Sequence, residues 1–217
     1  MNLKLLEEAV DVWAPDYPRR AGVKQKDVES KTELLSHLTS EVSRGRPGFI
    51  STYSFPRGHS KHGEIPKVDT IFVDFDIQGE RYKPDKGLNE EMYWDIEMSD
   101  LLVRVRTFAQ KLVDEGEAQH WRAALSGHKG VHLFLDFPAI DPSVGSFVQF
   151  KVGLSNYAET MMEALDELGG GINLTKGVDV ISADLGRLLT QPNTPHPGVA
   201  YTEDTKYCVP VSIEELT

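Results

Sequence analysis

One cysteine, Cys208, is all the thiol this 217-residue chain has. An internal disulfide, a cysteine-built zinc knuckle and an iron–sulfur centre are therefore excluded. No apolar run approaches the roughly 18 residues a membrane span needs. The start, Met1-Asn2-Leu3-Lys4-Leu5-Leu6-Glu7-Glu8, has acids where a secretory signal needs a basic flank and an apolar stretch. These absences predict a cytoplasmic protein with no membrane partner. A basic excess is missing too: 23 Lys and Arg face 34 Asp and Glu, for a net charge of −11. Taken alone, that balance disfavours nucleic acid, which seeks basic surfaces. The distribution is uneven, however. Residues 1–70 carry 11 basic and 10 acidic side chains, and residues 71–217 carry 12 and 24. Within 17–67 basic groups outnumber acidic ones 10 to 5, so a basic flank precedes an acidic body. An acidic body also suits a high-salt cytoplasm, where solvated carboxylates keep a protein soluble.

What is present is the composition of a soluble globular protein, 40% hydrophobic and 26% charged, with enough chain for one good core. We read residues 1–217 as a single domain, with 1–67 as an N-terminal flank and 68–211 as a core. Helical spacing predicts helices over 2–12 and 27–43, the second capped by Asp27 with Leu34, Leu35 and Leu38 on one face. Residues 14–25 read as a loop, Phe49–Phe55 as a strand and Arg57–Lys67 as a basic loop. Val68–Ile77 is the strongest strand signal. Residues 78–96 are polar and irregular. A helix over 99–115 is capped by Ser99, striped by Leu101, Val105, Phe108 and Leu112, and stopped by Gly116. Strands Trp121–Leu125 and Val131–Phe137 flank a tight Ser126–Gly130 turn. A helix over 145–168 buries Phe147, Phe150, Leu154, Tyr157, Met161, Leu165 and Leu168. A short strand at Gly177–Ile181, a helical turn at Asp184–Leu189 and short strands near 199–211 follow. The Glu214-Glu215-Leu216-Thr217 end reads as the interior of a helix.

Three segments carry chemistry. In Val73-Asp74-Phe75-Asp76 the period of two puts both carboxylates on one strand face and Val73 and Phe75 on the other. Two such acids repel unless a cation neutralises them, and Mg²⁺ or Mn²⁺ takes these oxygen ligands, usually together with phosphates; a solvated strand end also carries such pairs. Ser126-Gly127-His128-Lys129-Gly130-Val131-His132 offers backbone N–H groups, a hydroxyl and cations to a phosphate, or reads as a glycine hairpin with a core histidine. Val178-Asp179-Val180, followed by Asp184 through His196, adds a third carboxylate, Arg187 and His196. Three acids with a ring of Ser, Lys, His and Arg are the inventory of phosphoryl or nucleotidyl transfer.

In this order Asp74-x-Asp76, Ser126-Gly-x-Lys-Gly-x-His132, Asp179 and Arg187-Leu188-Leu189-x-x-Pro192-x-Thr194-x-His196 resemble the archaeo-eukaryotic primase superfamily over residues 68–200. The resemblance implies an α/β fold: an RRM-like core with a mixed or largely antiparallel sheet, helices behind it and a small N-terminal helical flank. It implies Asp74, Asp76 and Asp179 as metal ligands for Mg²⁺ or Mn²⁺, with Asp184 the other candidate for the third position or a helix cap. It places Ser126, Lys129, His132, Arg187 and His196, with His128 as a weaker candidate, on the nucleotide's triphosphate. Arg57, His59 and Lys61 would meet template or primer phosphate, or form a solvated basic loop. The implied activity is DNA primase or primase-polymerase chemistry on single-stranded template with nucleoside triphosphates, alone or with a large primase subunit or a helicase. Two features depart from the family: a lone cysteine cannot build its zinc element, and Thr190 stands where a basic residue is usual. The polymerase domains of end-joining ligases share the SGxKGxH loop and are the alternative within the family. A DxD glycosyltransferase would not require that loop, and a non-catalytic RNA-binding sheet would need exposed aromatics.

Overall fold

In the computed structural model, residues 3–56, 65–77, 90–116, 118–140, 147–168, 178–179, 185–196, 206–212 and 215 are described. The chain runs α1 (Leu3–Trp13), β1 (Arg19–Ala21), β2 (Lys26–Val28), α2 (Lys31–Ser43), β3 (Phe49–Ser51), β4 (Val68–Asp76), α3 (Glu90–Asp114), β5 (His120–Leu125), β6 (Gly130–Ile140), α4 (Phe147–Leu168), β7 (Val178–Asp179), β8 (Leu188–Thr190) and β9 (Val209–Val211). The strands form two sheets, ordered β2-β1-β3-β8 and β7-β4-β6-β5-β9. Every pairing within them is antiparallel. No helix among the described residues is long and apolar enough to cross a membrane.

The alternation in β4 decides the layout. Ile71, Val73 and Phe75 point to one face, where Val131, Leu133 and Leu135 of β6 and Leu101, Val105, Phe108 and Leu112 of α3 complete the largest core cluster. Phe75 and Phe108 meet edge to face at 5.2 Å between ring centroids. Burying each such side chain contributes about 1.5–3 kcal/mol. The opposite face carries Phe72 and Phe134, covered by Ala9 and Trp13 of α1 together with Ala124, Leu189 and Cys208. Leu6 and Val10 of α1, Leu34 and Leu38 of α2 and Ile50 of β3 form a separate cluster within the N-terminal unit. The four-stranded sheet is thus built largely from the flank, and β8 returns from the far end of the chain to pair with β3.

Several local expectations change. Residues 14–25 include β1 and lead straight into β2, because Gly22 at φ +69 and Gln25 at φ +51 turn the chain back on itself. The cap of α2 is Ser30, whose side chain accepts from the Glu33 N–H, rather than Asp27; Ser-x-x-Glu is the capping-box spacing. The strand expected over Phe49–Phe55 ends at Ser51. Helix α3 starts at Glu90, so Ser99 lies inside it rather than capping it. Tyr157 of α4 is 36% exposed, whereas Leu154 is buried. Leu188–Thr190 is a strand rather than part of a helical turn, since β3 offers it backbone partners. Asp184 lies outside the described residues, as do residues 197–205 and the C-terminal residues Glu214, Leu216 and Thr217; of the short strands expected near 199–211, β9 occupies Val209–Val211.

Candidate active site

β4 is flanked by β6 on one side and β7 on the other, and the register aligns the chemistry across all three strands. Asp74 stands directly opposite His132 of β6 and, on its other side, opposite Asp179 of β7. The His132 Nε2 lies 3.8 Å from Asp74 Oδ1, with the two side chains 13% and 22% exposed. The Phe72 ring meets the His132 ring edge to face at 5.4 Å. One pleat further along, Asp76 pairs with Gly130, and the Lys129 Nζ approaches Asp76 Oδ2 at 3.0 Å. The ammonium therefore balances a carboxylate that would otherwise crowd Asp74.

Two glycines permit this geometry. A Cβ on Gly130 would lie 2.3 Å from the Phe75 carbonyl oxygen and 2.4 Å from Asp76 Oδ1. Gly127 adopts φ +87, and a Cβ there would meet the Tyr207 carbonyl oxygen at 2.6 Å. Ser126 has an organising part in the turn. Its N–H donates to the Gly130 carbonyl, and its Oγ accepts from the N–H groups of His128 and Gly130 at 3.3 and 3.1 Å. The N–H groups of Gly127 and Lys129 have no acceptor among the described residues. They are available donors, and Ser126 Oγ, which accepts in both of its bonds to the turn, keeps its O–H proton to donate as well.

The third motif closes over this turn. The rings of His128 and His196 stack at 5.4 Å with an interplanar angle of 27°. His196 is held by its N–H donating to the Lys206 carbonyl, and Cys208 N–H donates to Thr194 O. Thr194 is fully buried. Its hydroxyl donates to the Gln191 carbonyl at 2.6 Å and accepts from Gly48 N–H at 3.2 Å, so this motif residue holds the loop to the N-terminal unit. Arg187 is exposed, and its carbonyl accepts from both the N–H and the hydroxyl of Thr52.

Burial, reinforced by His196 and Arg187, pushes the His132 pKa down to about 4, so the ring is neutral at physiological pH. The nearby Asp74 carboxylate would favour the charged ring but sits beyond hydrogen-bonding distance, and desolvation wins. Burial first, then His128, lowers His196, while Asp76 opposes the shift. Burial and the Asp74 charge push the Cys208 thiol up to about 12, which makes it inert as a nucleophile.

The structure thus gathers Asp74, Asp76, Ser126, His128, Lys129, His132, Arg187 and His196 at one end of the sheet. For Asp179 the backbone register alone is described. Arg57, His59, Lys61 and Asp184 lie outside the described residues. Among the described residues no three His, Cys, Asp or Glu side chains form a metal-holding group. The donor set suits Mg²⁺ or Mn²⁺ nonetheless: two carboxylates share a face, and a third aspartate stands in register beside them. Sequence reasoning missed Thr52 and the Lys206–Cys208 segment, which buttress Arg187, His196 and Gly127. They contact the motifs across long sequence separations, and no local spacing announces them.

The fold is similar to that of a polymerase domain. The neighbour is the polymerase domain of Ligase D from Mycobacterium tuberculosis, solved in complex with DNA. The TM-score is 0.58 at 15% sequence identity, over 99% of this chain and 80% of that one. No family model and no curated protein matches the sequence. The expected α/β architecture, with antiparallel sheet and helices behind it, is the one observed.

Proposed function

We propose that this chain is a template-directed nucleotidyltransferase of the primase or primase-polymerase kind, acting as a single catalytic domain. The observation that carries the reading is the cross-strand alignment of Asp74 with His132 and of Asp76 with the Lys129–Gly130 turn. It joins a carboxylate pair to a phosphate-sized cradle on one face. In the reaction a primer 3′-oxygen attacks the α-phosphorus of a nucleoside triphosphate. The bond to the bridging oxygen breaks, pyrophosphate leaves and the hydroxyl proton passes to solvent.

Mg²⁺ or Mn²⁺ held by Asp74, Asp76 and Asp179 would neutralise phosphate oxygens and activate the attacking hydroxyl. Lys129, released from Asp76, binds a terminal phosphate with the N–H groups of Gly127 and Lys129. Neutral His132 donates one ring N–H to a phosphate oxygen without adding charge. Arg187 grips phosphate with two parallel bonds, and His196, stacked on His128, closes the rim. Arg57, His59 and Lys61 are assigned to template or primer phosphate on single-stranded DNA. A large primase subunit or a helicase is the partner class, and the cytoplasm the location.

The rival classes fare worse. Phe72 and Phe134, on the sheet face that would bind RNA, are each 3% exposed and cannot stack on bases. A glycosyltransferase has no use for the convergence of the glycine turn with the carboxylates. The Ligase D neighbour supports the end-joining-type alternative within the same chemistry. The test is incubation with single-stranded template, labelled ribo- or deoxynucleoside triphosphates and Mn²⁺. Primers are expected from the native chain and none from Asp74→Asn, with the circular dichroism spectrum unchanged. Sugar transfer, or full activity in Asp74→Asn, would overturn the proposal. Extension of broken ends without priming would select the end-joining branch.

A further inference from the structure

At the opposite end of β4, on the same face of the sheet, a cleft of about 530 Å³ opens between the C-terminal end of α1 and the starts of β4 and β5. That volume suits a small organic ligand. Thr70 lines the cleft, and at about 3.3 Å per strand residue it lies roughly 20 Å from Asp76. The cleft is therefore separate from the carboxylate site.

Three acids and three Lys or Arg side chains line it, and they differ in how directly they are bonded. Arg122 forms two parallel 2.7 Å bonds with Asp136, and its Nη1 donates to the Val12 carbonyl. Lys67 bridges Asp16 and Asp69. Asp16 and Asp69 thus share one ammonium. Arg19 is 5% exposed. Its Nε and Nη1 donate to the carbonyl oxygens of Asp16, Ser51 and Thr52, and its Nη2 has no acceptor among the described residues. No carboxylate among them lies at ion-pair distance from it. Burial pushes this guanidinium's pKa down to about 10, and the Asp69 and Asp16 carboxylate charges oppose that shift without bonding to it; what the guanidinium lacks among the described residues is an acceptor for its Nη2 edge. It remains charged at any physiological pH. Beside it, Trp13 and Phe137 supply apolar wall.

We propose that this cleft binds a small molecule carrying a phosphate or carboxylate group on an apolar body, with the anion on the Nη2 edge of Arg19 and the body against Trp13 and Phe137. Arg19 suits either anion because its planar fork presents paired donors.

The test is a titration of the ¹⁵N-labelled full chain with phenyl phosphate, benzoate and inorganic phosphate, following the Trp13 indole N–H. A saturable shift is expected with phenyl phosphate or benzoate, whichever binds tighter naming the anion class, and weaker binding of inorganic phosphate, which lacks the apolar body. Arg19→Gln should weaken binding at least tenfold, about the loss of one charge-assisted hydrogen bond. Ala139→Trp, at an exposed lining position, should block the mouth while leaving every Arg19 bond in place. It decides the matter if Arg19→Gln fails to fold. Absence of a saturable shift to about 10 mM, a weak-binding limit, or unchanged affinity in Ala139→Trp would overturn the proposal. Binding abolished by Lys129→Ala and kept by Ala139→Trp would also overturn it, placing the anion on the glycine turn instead.

Discussion

Acid should expose the cost of burying His132. Its pKa falls from the ordinary 6.5 to about 4, with burial the main cause and His196 and Arg187 adding to it. Above pH 6.5 the ring is neutral both folded and unfolded, so it contributes no pH dependence. As pH falls below 6.5 the unfolded chain takes up a proton that the folded chain refuses, and stability is lost until the folded ring protonates near pH 4. At about 1.36 kcal/mol per pKa unit, the loss amounts to about 2 kcal/mol by pH 5 and about 3 kcal/mol by pH 4. The perturbation is His132→Gln, which keeps a polar side chain of similar reach and cannot titrate. Urea unfolding at pH 7.5 and pH 5.0, with chelator present, should show the native chain losing about 2 kcal/mol more than the variant. Other groups titrate in both proteins and cancel in the difference. An identical pH dependence in the two would refute the argument and mean that the Asp74 carboxylate, 3.8 Å away, holds the ring near its ordinary pKa.

Gly130→Ala forces a Cβ to within 2.4 Å of the Phe75 carbonyl oxygen and Asp76 Oδ1; we expect about 1–3 kcal/mol of destabilisation in thermal melts and loss of nucleotide incorporation as Asp76 is displaced. Lys129→Ala and Arg187→Ala should each weaken nucleoside triphosphate binding by about 1.5–3 kcal/mol in calorimetry, the scale of a charged hydrogen bond, with template affinity nearly unchanged. Thr194→Val leaves Gly48 N–H and the Gln191 carbonyl short of a partner in a buried place and should cost about 1–3 kcal/mol by urea unfolding. Ser30→Ala removes the cap of α2 and should cost about 1 kcal/mol by the same measurement.

Much of this was legible because short-range periodicity reports burial. The alternation of Val73, Asp74, Phe75 and Asp76 alone states which two side chains enter the core, and both Val73 and Phe75 are fully buried. The stripe Leu101, Val105, Phe108 and Leu112 likewise announced the face of α3 that covers the sheet. The start of α3 at Glu90 did not show, because Glu90, Glu91, Asp95 and Glu97 give that stretch a polar look, although Met98 continues the stripe of Leu101 and Val105 and packs on the same core. The β1–β2 hairpin did not show either: three-residue strands are too short for a period, and their stability comes from β3 and the core beneath.

By itself the sequence determined the inventory: which carboxylates, cations and glycines stand close together along the chain, and which apolar neighbours turn them to one face. Local geometry repeats every two or 3.6 residues, and those constraints act within a few residues. The tertiary structure decided what required chain segments to meet. The strand register set Asp74 against both His132 and Asp179, the Lys206–Cys208 segment came to rest on Gly127 and His196, and Thr52 took hold of the Arg187 carbonyl across 135 residues. The two N–H groups from which Ser126 Oγ accepts and the open Nη2 edge of Arg19 belong with these. Hydrogen-bond satisfaction and burial depend on every neighbour in space, and a linear pattern does not specify those neighbours.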